Sequence, residues 1–288
     1  MSSPIYLITG ASGKLGSKVV AQLLAHGVKP ESIAVLVRSE QKGQDYKAKG
    51  LNVRIGSYDD SESLKQAVKG IKKALLISSS EPEKDRVKQH ENFIQAAKEE
   101  SIEFIAYTSH LYADTSPASL AIDHKATEEL IAESAIPYSF LRNGWYIENV
   151  AAQIDVWSKT GVIPGAGGQG RISGAAINDY AEAAAKVLLA KEPPKRVYEL
   201  GGSPGYTLDE LAALASDVLG KPIKAVHVSK AEYEKMLASF GLPSKLVEAI
   251  ADAEDNASRG SLYDTTGDLQ SLIGRPAEPI KQVMQAFM

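Results

Sequence analysis

The sequence predicts an α/β fold, a doubly wound parallel sheet with a smaller, mainly helical C-terminal lobe. Three observations carry this. Apolar runs of strand length alternate with helix-length amphipathic stretches from residue 5 to about residue 142. Those strand runs are apolar nearly throughout, as strands covered on both faces of a parallel sheet are. A glycine-rich turn, "TGASGKLG" (9–16), follows the first strand and opens the first helix.

In chain order, "IYLIT" (5–9) is the first strand. From Lys14 to His26, Leu15, Val19 and Leu23 recur four apart with Val20 and Leu24 beside them, and Gly27 stops the helix. "IAVLV" (33–37) is the second strand, and a polar helix leads to the third, "LNVRI" (51–55). "SESLKQAVKG" (61–70) reads as a short helix with Ser61 as N-cap and Gly70 as stop. "KALLIS" (73–78) is the fourth strand, and a helix from about Asp85 to Glu100 aligns Val87, Ile94 and Ala97. "IEFIAYTS" (102–109), a helix over about 121–134 and "YSFLR" (138–142) complete the series. After Arg142 the rhythm changes. One helix over about 145–159 leads to the glycine-rich, hairpin-like "TGVIPGAGGQGRISG" (160–174). A helix (178–190) and "RVYEL" (196–200) return to the α/β pattern. Thr207 and Glu210 form a capping box ahead of a helical tail with a short strand near 223–228. The expected division is 1–143 with about 175–200 for the sheet domain, and about 144–174 with 201–288 for the smaller lobe.

Composition narrows the function. The net charge of −4 without a basic tract argues against a nucleic-acid partner. The absence of cysteine removes disulfide scaffolds, thiolate nucleophiles and Cys-ligated metals. None of the five histidines forms a close pair at ligand spacing, so no metal is expected. There is no charged-then-apolar leader, and no apolar run approaches the roughly 20 residues that span a bilayer. The expectation is a cytoplasmic protein without a membrane partner.

The glycines at 10, 13 and 16 carry the first chemistry. They permit a tight turn and close approach of backbone to a pyrophosphate, which the following helix N-terminus attracts with N–H groups and dipole. Position after the first strand of a βαβ series is the context that gives a three-glycine pattern meaning. Leu15 follows Lys14, so the turn is not the phosphate loop of an NTPase. At the end of the second strand, "VLVRSEQK" (35–42) has Arg38 where NAD binders keep an acid, with Ser39 beside it and Lys42 a turn on. A guanidinium suits a 2′-phosphate, which favours NADP(H). A solvated Arg38, with Glu40 as an NAD-type acid, is the alternative.

"TGASGKLG" resembles the cofactor loop of the NmrA-like atypical short-chain dehydrogenases. "AYTSHLYADTSP" (106–117) and "FLRNGWYIEN" (140–149) are more specific, and together they look very like the bacterial NADPH-dependent quinone oxidoreductases of that group. The related triphenylmethane dye reductases are a more distant match. The likeness runs through "YELGGSPGYTLDELA" (198–212) to "LQSLIG" (269–274). It implies a Rossmann-type NADP-binding domain and a small lobe, with the substrate in a cleft between them. By position, Gly10, Ser12, Gly13, Lys14, Leu15 and Gly16 would lie along the pyrophosphate, and Arg38 would meet the adenosine phosphate. Ser78 and Ser79 would pass near the nicotinamide ribose, with Thr108 and Ser109 approaching the ring. His110, Asn143, Trp145 and Tyr146 would form part of the substrate wall.

Most active short-chain dehydrogenases carry Tyr-x-x-x-Lys after the fifth strand. Here "SLAIDHKATEEL" (119–130) puts Ala121 in the tyrosine slot if Lys125 is the lysine, and Leu120 if His124 takes that place. A phenol-assisted alcohol dehydrogenase is therefore not expected. A quinone demands less, because hydride adds to an electron-poor carbonyl system and orientation of the nicotinamide carries much of the rate. Asn143 is a candidate donor to the developing oxyanion, with His124, His110 and Tyr146 as candidate proton donors. Two of these have a plainer reading, Asn143 as a turn residue and His124 as a structural residue near a helix start, and Tyr112 and Trp145 are either cleft aromatics or packing.

"GGSPG" (201–205) fits a hydrolase elbow, but Pro204 removes the N–H that an oxyanion hole takes from the residue after Ser203. Two readings remain. One is an enzyme that passes hydride from NADPH to a quinone or a similar planar, electron-poor acceptor. The other is a catalytically weak NADP(H)-sensing regulator of the NmrA-like type. A homo-oligomer is compatible with either.

Overall fold

The computed structural model describes residues 5–81, 83–191, 194–202 and 204–288. Ser203 lies outside them. The alternation read from the sequence forms as β1 (Tyr6–Ile8), α1 (Lys14–Ala25), β2 (Ile33–Val37), α2 (Glu40–Ala48), β3 (Asn52–Ile55), α3 (Ser61–Val68), β4 (Lys73–Leu76), α4 (Arg86–Glu99), β5 (Phe104–His110), α5 (Ser119–Glu133) and β6 (Tyr138–Asn143). Then come α6 (Ile147–Ala151), α7 (Ile154–Thr160), β7 (Val162–Gly165), α8 (Ile177–Leu189), β8 (Val197–Leu200), α9 (Leu208–Leu219), β9 (Lys224–His227), α10 (Lys230–Ser239), α11 (Ser244–Ala257), α12 (Asp268–Ile273) and α13 (Ile280–Gln285).

Seven strands form one sheet in the order β3-β2-β1-β4-β5-β6-β8, and the registers from β3 across to β5 are parallel. The chain runs outward from β1 through β2 to β3, then crosses back to β4 on the other side of β1. That reversal is the switch point at which an open α/β sheet presents a crevice at its carboxyl edge. Every residue of β2 and β5 is buried, which is why β2 and the first four residues of β5 are apolar without alternation.

The chain divides into two compact units. One comprises Met1–Ser109, Asp123–Arg142 and Tyr180–Tyr198. Its core gathers Leu7, Ala34, Leu76, Phe93, Ile105, Tyr107 and Phe140 from sheet and helices. The other comprises His110–Ile122, Asn143–Asp179 and Glu199–Met288. Its core centres on Trp157, with Ile147, Ile154, Ile163, Leu211 and Met284.

Several local expectations are corrected. The N-cap of α3 is Asp60, not Ser61: its carboxylate accepts from the N–H groups of Glu62 and Ser63, both at 3.1 Å. Two adjacent polar residues made the cap ambiguous, and the carboxylate accepts both donors. The stripe of α4 turns on Gln89, His90, Phe93, Ile94 and Ala97, with Val87 only half-buried, so polar residues occupy part of the inward face. The single helix over about 145–159 is two, α6 and α7, separated by a turn at Ala152 and Gln153. Ile147, Val150, Ile154 and Trp157 keep one buried stripe across the break, which hid it. The segment 160–174 is not a hairpin. β7 pairs in parallel with β9, Val162 opposite Lys224 and Gly165 opposite His227.

Candidate cofactor and active site

The glycine loop lies at the carboxyl end of β1. Gly10 adopts a left-handed φ of 56° and its carbonyl accepts from Gly13 N–H at 2.9 Å, closing the turn. A Cβ at Gly16 would collide with the Gly10 carbonyl oxygen and stand 2.8 Å from the Ala11 Cα, so α1 can begin here only with glycine. No side chain caps α1 and no acid lies in its first turn. Leu15 is buried, while Ser12, Gly13 and Lys14 are exposed. A bare helix start behind a loop without side-chain bulk fits a pyrophosphate.

Two tyrosines that the sequence reading did not assign here brace this loop. Tyr46, on α2, donates from its hydroxyl to the Ala11 carbonyl at 2.6 Å. The Tyr58 hydroxyl lies 2.6 Å from Thr9 Oγ1 and 2.7 Å from the Ile77 carbonyl oxygen, and burial raises its pKa. The Tyr58 hydroxyl joins β1 to the end of β4.

Arg38 follows β2 and is exposed, its Nη1 2.6 Å from Glu81 Oε1 in the loop after β4. Behind them Gln89 and Lys84 hold Asp59, at 2.9 and 3.0 Å, and these hydrogen bonds lower the Asp59 pKa.

At the carboxyl ends of β4 and β5, Ser78 N–H donates to Thr108 Oγ1 at 2.9 Å and Ser79 N–H to His90 Nε2 at 3.0 Å. Ser109 donates to Glu128 Oε1 at 2.6 Å, and Glu128 receives Nε and Nη2 of Arg142 at 2.9 and 2.6 Å. Both members of that ion pair are buried. A forked guanidinium on a carboxylate is the geometry in which such a pair is retained, and it ties α5 to β6. His124, in the second turn of α5, is buried with Nδ1 2.9 Å from the Tyr107 hydroxyl.

The second unit holds the other candidates. The His110 ring Nδ1 is 2.8 Å from the Leu111 carbonyl, and Leu111 N–H donates to the Asn143 carbonyl at 3.1 Å. Asn143 is buried and its Nδ2 donates to the Tyr146 hydroxyl at 3.1 Å, while its Oδ1 finds no donor among the described residues. The Tyr146 pKa is pushed up to about 12 by burial, with the Asn143 hydrogen bond opposing. Ala175 fixes this stretch. Its N–H donates to the Trp145 carbonyl and its carbonyl accepts from Ile147 N–H, at 3.0 and 3.1 Å. Trp145 is half-buried and packs on the core of this unit. Tyr112 has a left-handed φ of 53° and donates to Asp264 Oδ1 at 3.2 Å.

The "NAD(P)H-binding" family model matches residues 10–189. The chain belongs to that family. It is 42% identical over 275 residues to quinone oxidoreductase 2 of Escherichia coli, covering 96% of both chains. The crystal structure of an E. coli NADPH-dependent quinone oxidoreductase complexed with NADPH matches at a TM-score of 0.94, with 41% identity and 98% of this chain and 99% of that one covered. Triphenylmethane reductase of Citrobacter sp., complexed with NADP(H), matches at 0.93 with 34% identity over 98% of this chain and all of that one. The Rossmann-type fold read from the sequence is the fold that forms. Among the described residues no group of His, Asp and Glu is placed to hold a metal, and no helix is long and apolar enough to cross a membrane.

Proposed function

We propose that the protein is an NADPH-dependent quinone oxidoreductase. The observation that carries this is the bare, glycine-lined start of α1 on a family member 42% identical to such an enzyme along its whole length. That likeness is to an enzyme, which favours catalysis over the regulatory reading.

NADPH, when bound, supplies the hydride. The chain's part is to hold and orient. Gly10, Ser12, Gly13, Lys14, Leu15 and Gly16 offer backbone to the pyrophosphate. Arg38 exchanges Glu81 for the 2′-phosphate, a stronger partner for a guanidinium than an exposed carboxylate. Ser78, Ser79, Thr108 and Ser109 line the way to the nicotinamide. In this reading the sheet domain, 1–143 with about 175–200, takes the cofactor, and the rest supplies substrate contacts.

Asn143 Nδ2 carries two N–H groups: one serves the Tyr146 hydroxyl and so orients the phenol, and the other is a candidate donor to the substrate oxyanion. Burial keeps that phenol protonated at neutral pH, and a neutral O–H is a donor for oxygen that gains charge when hydride arrives. His110, Trp145 and His124 are further contacts in this reading. The partner is a small quinone, the location cytoplasmic, and no nucleic acid takes part. The net charge of −4 without a basic tract supports the exclusion of nucleic acid.

The test is NADPH oxidation followed at the nicotinamide absorbance band with and without a simple benzoquinone, with NADH in parallel. Quinone-dependent oxidation that prefers NADPH is expected. Tight NADPH binding without oxidation across several quinones would overturn the enzyme in favour of a sensor.

A further inference from the structure

The segment after β4 is held by side chains to an unusual degree. Ile77 N–H donates to Thr9 Oγ1 at 2.8 Å, and the Ile77 carbonyl lies 2.7 Å from the Tyr58 hydroxyl. Ser78 N–H donates to Thr108, and Ser79 N–H to His90. The Ser79 carbonyl accepts from Arg86 Nε at 2.8 Å. Among the backbone polar groups of Ile77, Ser78 and Ser79, the Ser78 carbonyl alone has no donor in the described residues.

Ser79 is thus gripped at both its N–H and its C=O by two residues of α4, and both are anchored on α5. His90 Nδ1 is 3.0 Å from Thr127 Oγ1, which donates to the Asp123 carbonyl at 2.9 Å. Arg86 Nη1 is 3.0 Å from Asp123 Oδ2. The proton directions are determined. A backbone N–H only donates, so Nε2 of His90 accepts and the neutral ring carries its proton on Nδ1, facing Thr127. His90 is fully buried, and burial pushes the imidazole down to about 3, so the ring is neutral across the physiological range.

The place of this clamp gives it meaning. Pyrophosphate at the glycine loop after β1 and adenosine toward Arg38 after β2 leave the other half of the dinucleotide on the β4 side of the switch point. We propose that His90 and Arg86 are positioning residues of the cofactor site. They hold Ser79 by both backbone groups so that the Ser78 carbonyl is presented as acceptor to a sugar hydroxyl of the nicotinamide half. The inference rests on the cofactor reading above and adds to it the residues that aim one wall.

Two ligands separate aiming from mere stability: NADPH, and adenosine 2′,5′-bisphosphate, which carries only the adenosine end. Dissociation constants are measured for the full-length protein by fluorescence and calorimetry. His90→Phe keeps ring volume but leaves Ser79 N–H without its acceptor and Thr127 Oγ1 without its His90 donor, and NADPH affinity is expected to fall about tenfold. Adenosine 2′,5′-bisphosphate is expected to stay within about twofold. His90→Gln, which offers an acceptor and a donor in one side chain, restores most NADPH affinity. Thr127→Val removes the anchor with little change of volume and gives a smaller loss of the same kind, which serves if His90→Phe does not fold. Equal weakening of both ligands, unchanged NADPH binding, or no recovery in His90→Gln would overturn the proposal. A wild-type protein that binds neither ligand would overturn the cofactor reading itself, and neither outcome depends on a quinone being reduced.

Discussion

The molecule contains two glycine-rich loops, and they do opposite things with their backbone. In residues 10–16 the glycines let the loop fold over itself, and the N-terminus of α1 is left without a side-chain cap. In residues 165–170 they let the loop press on α11. A Cβ at Gly170 would collide with the Ala257 carbonyl and stand 2.7 Å from Ser258 N, and one at Gly165 would lie 2.9 Å from Leu208 and 3.1 Å from the Glu254 carboxylate. There the donors are already engaged, since Glu254 Oε2 accepts from Ala166 N–H at 3.2 Å. Glycine content therefore does not identify an anion site. What distinguishes one is whether the chain satisfies its own N–H groups.

The largest expected effect comes from adding one methyl to each loop. Gly16→Ala and Gly170→Ala both force backbone apart, at a cost of about 1–3 kcal/mol each. Melting should show a similar loss in both. Only Gly16→Ala should also abolish NADPH binding, and comparable NADPH loss in Gly170→Ala would break the comparison.

Next in size is the charge beside the first loop. Arg38→Ala should weaken NADPH about 10–100-fold, the value of hydrogen bonds to a charged group, and leave NADH within about twofold. Equal loss of both cofactors would remove Arg38 from phosphate recognition. Glu81→Gln should tighten NADPH by no more than a few-fold, because the exposed pair it releases is worth about 0–1 kcal/mol.

The smallest effect concerns the internal acceptor of the second loop. Glu254 is buried and its pKa is raised above 4.5, by desolvation first, with the Ala166 and Gly167 N–H groups opposing. The folded state thus holds its proton more tightly than the unfolded chain, and this group's contribution to stability declines as pH rises through the carboxylate range and beyond. Glu254→Gln keeps an acceptor for Ala166 and removes the titration. Its melting temperature should gain on wild type as pH rises from 4 to 7, and parallel curves would show that Glu254 titrates as an exposed acid.

The sheet and the first loop were legible because their signals are local. An apolar run, a stop residue and three glycines each lie within one stretch of sequence. Asp60 and Ser61 illustrate the limit, since two good caps side by side cannot be ranked without the direction of the N–H groups. The β7–β9 pair was illegible for another reason, as parallel partners some 60 residues apart leave no turn to read between them. The polar framework of the site was hidden most deeply. His90, Thr127, Glu128 and Arg142 are all buried, yet in a helix or strand pattern such residues count as surface. Only their mutual hydrogen bonds make burial tolerable, and those bonds link β4, α4, α5 and β6. The one hint was the apolar stripe of α4, too narrow for its length.

The sheet is also completed out of order. β6 is paired on its outer side by β8, with Phe140 N–H on the Arg196 carbonyl at 2.8 Å, and residues 143–179 intervene in the chain before the compact unit resumes at Tyr180. On the ribosome, the first six strands emerge before the seventh exists. At about 5–20 residues per second, a nascent chain waits several seconds with β6 as an open, apolar edge. That interval is when another polypeptide can add a strand. A stalled or truncated chain ending before Arg196 should be the aggregation-prone form of this protein.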